Sequence, residues 1–222
     1  LVLATFGLLF FRQLRVYPLT RAITAATGAV LLLALGAITP TRALESVDTG
    51  TILLLFGMLA HVEALSKSGF YGWAAAHLVR QSHSTSQLTL GTLCLSAVCS
   101  AFALNDAVVL LLTPILVRAV KQVDTDPIPP LIAVVLGANI GSVATPLGNP
   151  QNAYILSRST LTTVEFVRTL APIALGSLLI AAIVLRIVDD TAPLDASISV
   201  PDIDHGWTLS SGGFLLGTFV LM

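Results

Sequence analysis

The sequence is poor in charged residues and in cysteine. Only 10% of its 222 residues are Asp, Glu, Lys or Arg, whereas a soluble domain carries about 25%. The net charge is −1 and the basic residues form no stripe, which argues against a nucleic-acid partner. The two cysteines, Cys94 and Cys99, share one apolar run without disulfide or zinc-ligand spacing, so we interpret them as packing residues.

The chain also lacks the short motifs of several enzyme classes. It contains no HExxH, no GxSxG, no phosphate-cradling glycine loop and no paired-cysteine site. These absences argue against an intramembrane protease and against a subunit of an ATP-driven pump. We therefore predict a protein that is not an enzyme and that holds no organic cofactor.

Apolar residues dominate instead. They make up 55% of the chain, the mean hydropathy is +0.90, and the charged residues form short clusters between apolar runs. This pattern is typical of a polytopic membrane protein, so we expect an all-α fold that crosses the plasma membrane several times. Both ends, Leu1 and Met222, fall inside apolar runs, and we expect this chain to be part of a longer membrane protein.

We interpret residues 1–65 as scaffold transmembrane helices that are oriented by basic residues. Arg12, Arg15 and Arg21 lie in a short stretch without acidic residues, which predicts the cytoplasmic side of the membrane. The helix over residues 22–38 then runs outward, and the following helix returns inward.

The inner end of that returning helix carries a polar cluster. Glu63 and Lys67 have the spacing of an i,i+4 ion pair, and we interpret His61 as a half-solvated histidine beside them. The alternative is a proton relay, which we favour less. Residues 66–87 follow as a cytoplasmic interfacial helix and loop. The aromatic residues that suit the interface are Phe70, Tyr71 and Trp73.

Residues 88–117 form the first interruption of the pattern. One helix over this run would be about 45 Å long, too long for one crossing of a core of about 30 Å and too short for two. A hairpin with limbs of about 14–17 residues, meeting near Leu104, Asn105 and Asp106, fits this length. The basic residues at its exit, including Lys121, predict a re-entrant hairpin that enters and leaves on the cytoplasmic side.

The stretch GANIGSVATPLGNPQNAYI contains the second interruption. Residues 130–144 predict a helix about 22 Å long. Thr145 and Pro146 end it, because proline lacks an N–H group and disfavours the helical conformation in the residue before it. Asn149 suits an N-cap and Pro150 the first position of a new helix. We therefore predict a transmembrane helix that is broken in mid-membrane.

The rest of the chain predicts how this unit ends and how the next begins. Residues 158–188 form a transmembrane helix that returns inward, and residues 189–206 form an acidic, solvated linker. Residues 207–222 begin a helix that runs opposite to the first one, as an inverted-topology repeat requires. The fold class that we predict is one inverted-repeat unit plus the truncated start of a second.

Residues 88–157, the predicted transport element, hold the candidate site. At each interruption one helix ends with free carbonyl groups, which suit Na⁺ or another cation. Another helix begins, after Asp106 and after Asn149, with free N–H groups, which suit an anion. The predicted substrate-binding or ion-binding residues are Asn105, Asp106, Thr145, Pro146, Gly148, Asn149 and Asn152. Gly148 would permit close approach of the backbone to the substrate. A sodium ion would lie near Asn105, Asp106, Thr145 and Asn149.

Asp106 is the one acidic residue well inside an apolar run. An intramembrane carboxylate costs about 2.5–3.5 kcal/mol on the insertion scale, so such a residue is a functional candidate. It would bind a cation, carry a proton or cap the second limb of the hairpin, and the residues alone leave all three roles open. A proline kink with a polar helix contact is the plainer interpretation of each interruption, but two interruptions in one span favour a transport site.

Three stretches of this sequence resemble the ion transporter superfamily: DTGTILLLFGMLAHVEALSKSGF, FALNDAVVLLLTPI and ANIGSVATPLGNPQN. The superfamily groups arsenical-pump membrane proteins, citrate permeases, sodium/dicarboxylate symporters and sodium–proton antiporters of the same fold. The resemblance covers nearly the whole chain but only the first of the family's two repeats. The tip at Asn105 and Asp106 and the GNPQN segment are similar to the arsenical-pump and anion-permease branches, whereas the dicarboxylate branch has Ser-Asn-Thr at the tip.

The resemblance implies a re-entrant hairpin and a broken helix in each repeat, with substrate and coupling ion held between the tips of both repeats. It further implies a homodimer, with the C-terminal second repeat, the lipid bilayer and a small inorganic or organic anion as partners. We expect a secondary transporter that moves an anion together with Na⁺ or H⁺. The alternatives are a sodium–proton antiporter that uses Asp106, and a passive channel or structural membrane subunit.

Overall fold

The computed structural model describes residues 2–10, 21–189, 191–194, 200–202, 204, 206, 208–210 and 213. The predicted cytoplasmic residues Arg12 and Arg15, and most of the predicted second repeat, lie outside these described residues. The helices are α1 (Val2–Phe10), α2 (Arg21–Ala34), α3 (Pro40–Glu45), α4 (Thr49–Lys67), α5 (Phe70–Gln81), α6 (Thr85–Phe102), α7 (Asn105–Gln122), α8 (Ile128–Val143), α9 (Pro150–Arg158) and α10 (Thr163–Val188).

The predicted all-α membrane fold is confirmed at the level of its helices. Three of the described helices, α4, α6 and α10, are long and apolar enough to cross a membrane. The longest, α10, has 26 residues, more than the ~20 that a bilayer requires. The chain divides into two compact units, Leu1–Thr49 and Gly50–Met222, and the candidate site lies in the second.

In the first unit, α2 is shorter than predicted. The prediction ran to residue 38, but the helix ends at Ala34. Gly36 has φ +67°, in the left-handed region that glycine adopts without steric cost and that commonly ends helices. The next helix, α3, begins at Pro40, where the Thr39 side chain accepts a hydrogen bond from the Arg42 main-chain N–H group at 3.3 Å.

In the second unit, α6 and α8 pack with their backbones in contact. A Cβ atom at Gly141 would lie 2.0 Å from the Ala97 carbonyl oxygen, so only glycine fits this position. The hydroxyl group of Ser100 donates to the Ala138 carbonyl oxygen at 2.7 Å, and that of Ser96 donates to the Ala133 carbonyl oxygen at 3.3 Å. Small residues and hydroxyl bonds of this kind join helices inside membranes.

The predicted hairpin consists of two helices, and both are longer than expected. Each of α6 and α7 has 18 residues, where the prediction gave about 14–17. The start of α6 and the segment after α7 line one cavity of about 500 Å³, to which Thr85, Asp124 and Asp126 contribute. The start of α6 and the segment after α7 therefore lie at the same end of the helices, as a hairpin requires. Because α6 alone is long enough to span a membrane, the re-entrant course stays a prediction.

The polar cluster near the end of α4 is partly as predicted. The Lys67 Nζ and Glu63 Oε1 atoms are 3.3 Å apart, which confirms the ion pair. The half-solvated histidine is wrong, since His61 is only 3% exposed. Tyr71, predicted at the interface, is also buried, because α5 packs one face into the core that Val79 and Leu116 share with it. Burial raises the pKa of the Tyr71 hydroxyl group.

Candidate transport site

The hairpin tip is a short extended connection. α6 ends at Phe102, and α7 begins at Asn105 with Leu104 at the N-cap position. We predicted a helix start after Asp106, which is wrong, because the apolar side chain of Leu104 is drawn into a buried cluster with Met58 and Leu147. That packing brings the helix start forward.

Two polar side chains follow at the tip. Asn105 is half-buried, and its Oδ1 atom accepts a hydrogen bond from the Asp106 main-chain N–H group at 2.8 Å. Asp106 is exposed and lies in the first turn of α7. A negative charge in the first turn interacts favourably with the helix dipole. Asp106 is therefore within the helix rather than its N-cap.

The predicted break between two helices is confirmed, whereas its position in mid-membrane stays a prediction. α8 ends at Val143 and α9 begins at Pro150, with Asn149 as N-cap. The Asn149 Oδ1 atom accepts a hydrogen bond from the Asn152 main-chain N–H group at 2.9 Å, which satisfies one of the free donors at the start of the helix. Pro146 lies buried in the segment between the two helices.

The tip and the break contact each other directly. The main-chain N–H group of Asn105 donates to the Gly148 carbonyl oxygen at 3.0 Å. The Thr145 hydroxyl group donates to the Ala101 carbonyl oxygen at the end of α6, and it accepts a hydrogen bond from the Gly148 main-chain N–H group at 3.2 Å. The two interruptions, which are distant in the sequence, thus form one structural element.

The amide side chains of the break are engaged in hydrogen bonds. Asn152 Nδ2 donates to the carbonyl oxygens of Ser142 at 3.0 Å and Thr145 at 2.9 Å. Asn149 Nδ2 lies 3.5 Å from Ser142 Oγ. These two residues join the end of α8 to the start of α9, a role that the sequence analysis did not assign to them.

Gly148 is required by a contact within the chain. A Cβ atom at this position would lie 2.3 Å from the Ser142 carbonyl oxygen, far closer than van der Waals contact. We predicted that Gly148 permits close approach of the backbone to substrate, whereas the close approach in the structure is to α8. Ser142, which is 2% exposed, was missed by the sequence analysis, because no local pattern marks a serine that contacts a segment six residues later.

Asp106 is the one acidic residue of the tip and the break, residues 102–106 and 143–150. In the part of the chain that the structure describes, no group of three or more His, Cys, Asp or Glu residues could hold a metal ion. A sodium ion near Asn105, Asp106, Thr145 and Asn149 would therefore need neutral oxygen ligands besides one carboxylate, ligands of the kind that hard cations accept. The predicted sodium site stays a prediction.

Comparison with known proteins identifies the family of this chain and several relatives. Residues 6–221 match the family model described as citrate transporter. The chain is 33% identical over 149 residues to arsB of Dictyostelium discoideum, covering 67% of this chain and 26% of that protein. It is 36% identical over 147 residues to the P protein of Homo sapiens, covering 64% and 18%.

A plant protein is a further relative. The chain is 29% identical over 161 residues to the silicon efflux transporter LSI3 of Oryza sativa subsp. japonica, covering 72% of this chain. It covers 33% of that protein. The chain thus spans a third or less of the length of each of these three relatives.

Proposed function

Since this chain belongs to the citrate transporter family, we propose that it is part of a secondary transporter that moves a small anion across a membrane, coupled to Na⁺ or H⁺. The observation that carries this proposal is the hydrogen bond between Asn105 and Gly148. It brings the starts of α7 and α9 into one element, so the positive ends of two helix dipoles lie near each other. Such helix starts favour an anionic ligand.

The substrate-facing groups of this half-site are the tip residues Asn105 and Asp106 and the start of α9 at Asn149. Asn105 is half-buried and Asp106 is exposed, so both are accessible to a ligand. Thr145, Pro146, Gly148 and Asn152 shape the element on which those groups stand. The other half of the site would come from a second repeat, with the same helix ends facing it, and the complete transporter would be a homodimer in the plasma membrane.

Asp106 supplies the coupling in this proposal. An exposed carboxylate beside the anion would bind Na⁺ or a proton in step with the substrate and so offset the anion's charge. The second candidate function, a sodium–proton antiporter, is favoured by the same residue, because one carboxylate that binds Na⁺ or H⁺ in turn is sufficient for exchange.

The family description and one relative's name suggest which substrates to test first. The family model is described as citrate transporter, and the rice relative is named for silicon efflux. We would reconstitute the full-length protein in liposomes and measure uptake under imposed Na⁺ and pH gradients. The probes are citrate, succinate and phosphate, which are anions at neutral pH, and silicic acid and arsenite, which are uncharged there. Uptake of the uncharged probes alone would contradict an anion transporter.

Anion uptake that is driven by one gradient supports the proposal and names the coupling ion. Collapse of a pH gradient on addition of Na⁺, with no probe anion taken up, would support the antiporter instead. Uptake that runs equally in the absence of any gradient would contradict both and indicate a passive channel. Empty liposomes and Asp106→Asn protein are the matched controls.

A further inference from the structure

The side-chain amide of Asn152 faces three main-chain carbonyl groups. Its Nδ2 atom lies 3.0 Å from the Ser142 oxygen, 2.9 Å from the Thr145 oxygen and 3.4 Å from the Val143 oxygen. The two shorter distances fit one hydrogen bond for each amide hydrogen, and the third is a longer contact. Ser142 and Val143 are the last residues of α8, where carbonyl groups have no partner within the helix.

Carbonyl oxygens that converge at the carboxyl end of a helix are surroundings that suit a cation. In this chain the amide group of Asn152, whose hydrogens carry partial positive charge, lies beside these carbonyl oxygens, where a cation would otherwise fit. The same residue donates its main-chain N–H group to Asn149 Oδ1 at 2.9 Å. One side chain therefore closes the end of α8 while its backbone completes the cap of α9.

We propose that Asn152 is a positioning residue that takes the place of a cation at the end of α8 and fixes α9 relative to the hairpin tip. The fixed path runs from the Asn152 amide through Thr145 to Gly148, whose carbonyl oxygen accepts from Asn105 at 3.0 Å. Asn152 then binds neither substrate nor coupling ion, and a coupling cation binds on the tip side of the element. The consequence for transport rests on the proposed function, whereas the structural role does not.

The test replaces the donor by an acceptor of similar shape. In Asn152→Asp the carboxylate would face the carbonyl oxygens of Ser142, Val143 and Thr145, and repulsion favours its protonated form, which can still donate one hydrogen bond. The folded state then binds a proton more tightly than the unfolded chain, so stability falls as pH rises. We expect a melting temperature several degrees below wild type at pH 8 and a clearly smaller deficit at pH 5.5.

The measurement is thermal unfolding of the purified full-length protein in detergent, without substrate. Gln151→Glu is the matched control, because Gln151 is exposed and the variant adds the same charge one residue away. The difference in melting temperature between Gln151→Glu and wild type should not grow with pH. Asp106 is present in the variants and in wild type, so its titration cancels from these differences. The proposal would be overturned if Asn152→Asp melted at the same temperature as wild type, or if its melting temperature were lower by the same amount at both pH values.

Asn152→Ala keeps the test valid if the aspartate variant does not fold. Removing the amide leaves the carbonyl groups of α8 without their donor, so we expect a lower melting temperature at every pH than in Gln151→Ala. Equal melting temperatures of the two alanine variants would overturn the positioning role. Melting needs no transported ion, so failure of every uptake probe would count against the proposed function alone.

Uptake kinetics separate positioning from ligation. If Asn152 positions the element, Asn152→Asp should lower the maximal rate at pH 7.5 and leave the apparent affinity for Na⁺ unchanged. If instead the side-chain oxygen of Asn152 binds the cation, the new carboxylate should raise the apparent Na⁺ affinity at that pH. The second result would overturn the proposal.

Discussion

The hairpin tip and the helix break interrupt their helices in opposite ways. At the tip, the N-cap position is held by the apolar Leu104, and the polar side chains beside it, Asn105 and Asp106, are half-buried and exposed. At the break, the amide of Asn152 donates to main-chain carbonyl groups and Asn149 caps α9. The tip thus presents polar groups to its surroundings, whereas the polar groups of the break are hydrogen-bonded within the chain.

This difference distinguishes residues that bind a ligand from residues that hold the element in its conformation. A side chain that already satisfies a main-chain group contributes stability, and removing it leaves a partner unpaired. A side chain that is exposed at membrane depth costs free energy, and it is a functional candidate for that reason. We therefore assign ligand binding to the tip and to Asn149 at the start of α9, and positioning to the other polar residues of the break. The following changes test that assignment.

The largest effect is expected for Gly148→Ala at the break. The added Cβ atom would lie 2.3 Å from the Ser142 carbonyl oxygen, which belongs to the backbone and cannot move aside cheaply. We expect a loss of about 3 kcal/mol in the free energy of unfolding, measured by denaturation in detergent micelles. Gly176→Ala is the control, because no described atom lies within 4 Å of its Cβ position. A stable Gly148→Ala protein would contradict the close contact.

The next effect concerns the tip and should largely spare stability. Asp106 is exposed and does not occupy the N-cap of α7, so Asp106→Asn should insert like wild type and lose only the interaction with the helix dipole, about 0.3–1 kcal/mol. It should abolish gradient-driven uptake, because asparagine neither binds a proton nor supplies charge to a cation. The measurement is uptake with and without the imposed gradient. Normally coupled uptake would remove Asp106 from the site.

A moderate effect is expected at Asn149, the one break residue that we place against substrate. Asn149→Ala should lose about 1 kcal/mol of stability with the N-cap. Asn149→Asp keeps a capping side chain, so its stability should be retained while the affinity for an anion falls at neutral pH. Affinity should recover as pH falls and the new carboxylate is protonated. An anion affinity that does not change at neutral pH would show that α9 does not contact substrate.

Single cysteines at Arg80 and Lys121 should have the smallest effect on activity, and they give the most direct test of the topology. Both positions are exposed, and a membrane-impermeant thiol reagent should label both from the cytoplasmic side. Native Cys94 is exposed and Cys99 is buried, so both are first replaced by serine. Labelling of the two positions from opposite sides would make the hairpin an ordinary crossing.

The sequence alone determined the features that depend on a few adjacent residues. Low charge and long apolar runs predicted membrane helices, and Pro146, Asn149 and Pro150 predicted where one helix stops and the next starts. These signals are local, because a missing N–H group or a side-chain cap acts within one helical turn. The predicted break matches the structure for that reason.

Only the tertiary structure decided which polar groups are hydrogen-bonded within the chain and which remain accessible to a ligand. Burial of Leu104 against Met58 moved the start of α7, and contact with Ser142 explains the glycine at position 148. Asn152 was predicted from the sequence to bind substrate or ion, yet its side chain donates to the carbonyl oxygens of Ser142 in α8 and of Thr145 in the segment after it. A polar residue in an apolar run has the same sequence signature whether it binds a ligand or a helix end, since its partner is chosen by the packing of distant segments.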